Sequence, residues 1–168
     1  MKHLFDNLLK VLSIFDNILE KIERTVLISI LSFVIGLSFL QVILRNFFGW
    51  GFIWGDIFLR HMVLWLGLIG ASIATKENRQ INIDIVSRVL HSKSKLIINV
   101  LISLISVYVC YLLFRASISF VTAEKSFGTT IFNDFPAWIF QIIFPFAFFI
   151  IAYRFALNVL NNLRDLLK

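Results

Sequence analysis

Four apolar runs, each long enough to cross about 30 Å of hydrocarbon at roughly 1.5 Å per helical residue, set the frame for everything else in this chain. They span about 25–44, 52–74, 96–114 and 136–157. The first and third carry no charge. The second carries Asp56, Arg60 and His61, and the fourth carries Arg154 near its end. The runs are continuous rather than alternating, so each satisfies its backbone as a helix and not as a strand of a barrel. The rest of the composition agrees. Charged residues are 15% of 168, against about 25% in soluble domains, and hydrophobic residues are 59%. A soluble chain of this size cannot hide so much apolar surface. The expected fold is an all-α membrane protein with four transmembrane helices, forming one domain over 1–168.

The net charge of +6 is a topology signal. Twelve of the sixteen Lys and Arg residues fall on one side, in the two termini, the 75–95 loop and, with Arg154, the end of the fourth span, whereas only Arg45, Arg115 and Lys125 fall on the opposite side. The positive-inside rule therefore predicts both termini in the cytoplasm. A nucleic-acid partner is not expected, because no soluble segment is long enough to form a folded basic domain. No cleavable leader is expected in the first residues, since their charges are mixed and a full-length apolar run follows. Leu4, Leu8, Val11, Phe15, Ile18 and Ile22 recur at helical spacing, with Asp6, Lys10, Asp16 and Glu23 on other faces. This pattern predicts an N-terminal amphipathic interfacial helix over about 3–22, on the membrane surface or docked on a partner helix. Residues 81–91 carry a shorter pattern of the same kind.

The second span holds the candidate functional residues. Asp56 and Arg60 are four apart and share a face, so they form a candidate ion pair, with Arg45 of the first span at a similar outer depth. At 1.5 Å per residue Asp56 lies roughly 6 Å and Arg60 roughly 12 Å into the span, where pairing offsets much of the desolvation cost. An internal ion pair, a contact with a partner subunit and an ion pathway all fit these residues. The same face continues through Gly67, Gly70, Ala71 and Ala74, small residues that let another helix approach closely. Packing within the chain predicts the same stripe. Trp54, Phe58, His61 and Trp65 line the opposite side. Trp50, Trp54 and Trp138, with Phe47, Phe48 and Phe135, form an expected aromatic belt at the outer boundary. Pro145 should kink the last helix.

Several chemistries lack their parts. Only His61 lies in a span, so paired haem ligands are missing, and the single cysteine, Cys110, reads as a small buried hydrophobe. There is no HExxH, no phosphate loop and no cysteine cluster. No enzyme activity, metal site or cofactor is expected. The alternative reading is an autonomous four-helix exporter acting as a homodimer. Exporters of that kind keep an essential carboxylate in their first helix, and here the first span has none.

The stretch from Gln41 to Asp84 resembles the small, Q-type membrane subunit of tripartite ATP-independent periplasmic (TRAP) transporters. The matching elements are Gln41-Val42 with Arg45, the Phe47–Gly49 turn, Trp54 with Arg60, Trp65, and Gly70-Ala71 before a basic loop. Glu124, Ser126-Phe127-Gly128, Phe135-Pro136-Ala137-Trp138 and Pro145 extend the likeness to the last helix. Two positions depart from the pattern: Ile57 stands where a Glu is common, with Asp56 one place earlier, and Gln80 stands where a His is common. The resemblance implies a subunit of a sodium-driven importer of an organic acid, of the sialic acid or C4-dicarboxylate type, in the bacterial inner membrane. A periplasmic substrate-binding protein would deliver the acid, and the large membrane subunit would hold the substrate and sodium sites. The small subunit would pack, among membrane lipid, on the large subunit's static scaffold, with its outer surface helping to dock the binding protein.

Overall fold

The computed structural model describes residues 2–51, 53–77, 92–131 and 135–166. They form five helices: α1 (Lys2–Phe47), α2 (Ile53–Lys76), α3 (Ser92–Phe127), α4 (Ala137–Gln141) and α5 (Ile143–Leu166). Four segments are long and apolar enough to cross a membrane, namely Leu9–Phe47, Trp54–Lys76, Ile97–Phe127 and Ala137–Arg164. The all-α, four-span architecture is therefore as expected from the sequence. The pattern over 81–91 lies outside the described residues.

The surface helix expected over 3–22 is not a separate element. α1 runs unbroken through residues 22–25 into the first span. No glycine or proline interrupts residues 2–35, and hydroxyl residues along the way feed the helix's own carbonyls. Ser13 donates to the Lys10 carbonyl, Thr25 to Lys21 and Ser29 to Thr25, so these side chains need no other partner. Termination comes from glycine. Gly49 (φ 64°) ends α1 and Gly128 (φ 63°) ends α3, both in the left-handed region where a Cβ is disfavoured. After Gly128, Thr130 bridges Pro136, and the Ala137 amide donates to the Thr129 carbonyl at 2.9 Å.

α4 and α5 are one span broken at Ile142. Pro145 is the cause, because it has no N–H to offer the Gln141 carbonyl and its ring crowds that position. Trp65 of α2 caps the damaged turn, its Nε1 donating to the Phe140 carbonyl at 2.9 Å. The aromatic side of α2 thus fills a groove. Phe58 meets Phe33 of α1 and Phe140 of α4 edge-on, and His61 stacks obliquely on Phe140.

The helices stand in an open row, α1–α2–α5–α3, made of two hairpins joined along α2 and α5, with α1 also reaching α5 where the three helices meet. A small cluster of Cys110, Ile151 and Phe155, with Val107 and Ala152, seals α3 to α5. Cys110 is the buried small hydrophobe that its sequence context suggests. An open row of this kind leaves broad faces of α1 and α3 uncovered, and large apolar side chains on both are exposed.

Candidate functional site

The most highly organised part of the molecule is a charged cluster where α1, α2 and α5 meet. Asp16, Glu20 and Glu23 recur at i, i+4 and i+7, which places them on one face of α1. Ser72 and Lys76 share a face of α2 by the same spacing. Arg154 reaches them from α5 and is 2% exposed. Its Nε donates to Asp16 Oδ1 at 2.9 Å, one terminal nitrogen to Glu23 Oε2 at 2.7 Å, and the other to Ser72 Oγ at 2.8 Å. Ser72 in turn donates to Glu23 Oε1 at 2.8 Å, closing a ring of three groups from which Asp16 branches. Lys76 extends it to Asp16 (3.2 Å), Glu20 (2.9 Å) and the Asn17 side-chain oxygen (2.7 Å). Arg24, on the exposed rim, bridges Glu20 at 2.9 Å and Glu77 at 3.0 Å.

Three helices are tied here by charge. Fully hydrogen-bonded charge is what makes such burial tolerable, because an unpaired ion at this depth costs several kcal/mol by general experience. The arrangement also inverts α1. Its acids face the bundle, whereas Val11, Phe15, Ile18 and Ile22 point away from it. Sequence reasoning missed the cluster: it set Asp16 and Glu23 on faces other than the apolar one of a helix on the membrane surface or docked on a partner helix, and counted Arg154 among the topology charges. The i, i+4, i+7 acid spacing, in a chain with only ten acidic residues, was the available signal.

At the opposite end of the molecule, Asp56 accepts a hydrogen bond from Gln41 Nε2 of α1 at 2.9 Å. Gly55 makes that approach possible, since a Cβ there would stand 3.2 Å from the Gln41 amide oxygen. Arg45, Ser38 and Leu59 line the same open cleft of about 240 Å³. Asp56 and Arg45 are therefore brought together in one cleft. Arg60 is exposed on α2, and among the described residues no ion pair joins it to Asp56.

The small residues of α2 divide between two surroundings. A Cβ on Gly70 would meet Leu27 of α1 at 3.9 Å, and Ala74 is half-buried. A Cβ on Gly67 would meet nothing within 4 Å, and Ala71 is exposed. Trp50 and Trp54 are exposed, whereas Trp138 is half-buried beneath Lys125, whose Nζ stands 5.2 Å from the ring centre. Among the described residues no group of three or more His, Cys, Asp or Glu side chains is placed to hold a metal ion. What the geometry offers is an ionic tie inside the chain, and polar and small-residue surfaces turned outward.

No curated protein matches this sequence. One family model does, over residues 34–165: the DctQ component of tripartite ATP-independent periplasmic transporters. Arg154, Ser72 and Lys76 lie within the matched region, and their acidic partners on α1 precede it. The match covers well over half of the chain and agrees with four membrane-crossing helices. This multi-pass membrane protein belongs to the DctQ family, the transporter component of that name in tripartite ATP-independent periplasmic systems.

Proposed function

We propose that the chain is the small permease subunit of a sodium-driven, binding-protein-dependent importer of an organic acid, of the sialic acid or C4-dicarboxylate type. It sits in the bacterial inner membrane with both termini in the cytoplasm, the side favoured by its Lys and Arg bias. The family match over 34–165 carries this reading. The open row of helices supports it, because a chain that leaves α1 and α3 uncovered has surface to offer a larger neighbour.

Its role is mechanical. The large subunit carries substrate and sodium, and this chain packs on the part of it that stays fixed in the bilayer. Belt residues Trp50 and Trp54 resist tilting and sinking, and the outer surface helps to dock the periplasmic binding protein. The outward small residues Gly67 and Ala71, with Arg60 and the Asp56–Arg45 cleft, form the proposed contact surface.

Reconstitution tests this. Proteoliposomes holding this chain, the large subunit and the binding protein should take up the acid when a sodium gradient is applied, and omission of any one component should abolish uptake. Uptake or export by this chain alone would favour an autonomous homodimeric transporter instead.

A further inference from the structure

At the end of the molecule opposite the ionic cluster, the cleft between α1 and α2 holds two charges of opposite sign that the chain leaves open. Gln41 Nε2 donates to Asp56 Oδ1 at 2.9 Å, an approach that the buried Gly55 permits. Among the described residues the second oxygen, Asp56 Oδ2, has no hydrogen bond, and no ion pair or hydrogen bond holds the Arg45 guanidinium. Both side chains are exposed, and both line the same cleft of about 240 Å³. The ionic cluster is different, because there the acids and bases satisfy one another. Here an acid and a base stand side by side, each with donors or acceptors to spare.

The depth of the cleft is that of lipid headgroups. The first membrane-crossing segment ends at Phe47, just past Arg45, and the second begins at Trp54, just before Asp56. Each charge is thus about 3 Å inside the end of its span, at 1.5 Å per residue. The exposed Trp50 and Trp54 lie at the same level, where amphipathic rings sit among headgroups. One turn further into the bilayer on the same faces stand Val42, which is exposed, and Leu59, which is half-buried; both line the cleft. The site is therefore charged at its mouth and apolar on its hydrocarbon side. A headgroup layer lies at both surfaces of a bilayer, so this placement holds for either insertion of the chain.

From the open carboxylate and guanidinium, their shared cleft and its depth, we infer that the cleft binds the headgroup of a phosphatidylethanolamine molecule. The lipid's primary ammonium donates to Asp56 Oδ2, Arg45 grips the phosphate through its forked N–H donors, and the acyl chains leave over Val42 and Leu59. The chemistry selects among lipids. A choline headgroup has the same charge but no N–H to give the carboxylate. A glycerol headgroup supplies the phosphate but sets a second negative charge beside Asp56. The inference rests on the permease-subunit reading for the neighbour that flanks the cleft, and it names what fills this part of the proposed contact surface.

The test is native mass spectrometry of the full-length chain, delipidated in mild detergent and titrated with phosphatidylethanolamine, phosphatidylcholine and phosphatidylglycerol of matched acyl chains. The wild type should hold one phosphatidylethanolamine about tenfold more tightly than either other lipid, the worth of one hydrogen bond to a charged group. Asp56→Asn should shrink that preference to about twofold or less, whereas Asp56→Glu keeps the carboxylate and should keep the preference. Arg45→Gln should weaken all three lipids, and Arg115→Gln, at an exposed cation on α3, should change nothing. Asp56 and Arg45 are exposed, so each variant should unfold at the wild-type SDS concentration. Equal retention of the three lipids by the wild type, or an undiminished preference in Asp56→Asn, overturns the site. Soluble phosphoethanolamine should not displace the lipid; displacement at matched concentration would assign the cleft to a free headgroup and overturn the lipid. The lipid should also stay when the large subunit is bound. Its loss there would give the cleft to a protein side chain, overturning the inference while the permease reading stands. A chain that keeps the lipid preference but brings no large subunit from its membrane overturns the permease reading alone.

Discussion

Replacing Arg154 by methionine keeps most of the side-chain volume and removes one charge from the centre of the cluster. Three hydrogen bonds of 2.7–2.9 Å disappear together. The two acids do not suffer equally. Asp16 keeps Lys76 at 3.2 Å, whereas Glu23 keeps only the Ser72 hydroxyl. An uncompensated carboxylate, with its side chain 9% exposed, is the main penalty. Breaking a buried pair from one side costs about 3–5 kcal/mol, and that is the expected loss for Arg154→Met. Removing the partner charges as well should return much of it, since a buried ion pair replaced on both sides is often nearly neutral. Arg154→Met combined with Asp16→Asn and Glu23→Gln should therefore recover at least half of the loss, with coupling of about 0.5–3 kcal/mol. Arg24→Gln is the internal control, because its side chain is 54% exposed and should leave stability unmoved. The assay is unfolding by SDS titration in mild-detergent micelles, followed by tryptophan emission. A single variant within about 0.5 kcal/mol of wild type, or a triple variant no better than the single, would refute a structural role for the cluster.

Gly67→Leu adds a side chain where the chain has open space, so its own stability should hold while recovery of the large subunit drops severalfold on affinity purification. Gly55→Leu should do the reverse: the new side chain meets the Gln41 amide at 3.2 Å, and overpacking of this kind costs about 1–3 kcal/mol in the same SDS titration. Asp56→Asn should weaken the purified complex, read as subunit loss on dilution, while the sodium concentration giving half-maximal uptake stays put; a primary shift in sodium dependence would assign Asp56 to ion coupling. Trp65→Phe strips the donor from the Phe140 carbonyl at the Pro145 break and should cost about 1–3 kcal/mol on denaturation.

The spans were legible because apolar length is a one-dimensional signal, and the bilayer reads it the same way. Pro145 was legible for a similar reason: losing one donor has a local consequence, and the break falls at Ile142 as that loss requires. The charged cluster was harder to see. Arg154 is 131 residues from Glu23 and 82 from Ser72, and nothing in any single segment says that the three meet. Helical periodicity correctly separated the two faces of residues 9–22 but could not say which face turns inward. In water the apolar side would. Here lipid or a partner can cover it, and the acids find Arg154 instead. The same limit applies to Asp56 and Arg60. Spacing allows the pair, yet Gln41 of the neighbouring helix takes the carboxylate once Gly55 lets it approach.

The central claim is that this chain works as one subunit among several, and native mass spectrometry of the tagged chain drawn gently from its own membrane tests it most directly. The account predicts a heteromer in which one copy of this 168-residue chain accompanies one large polytopic membrane protein. A homodimer alone, with no second kind of membrane protein in any charge series, would contradict it.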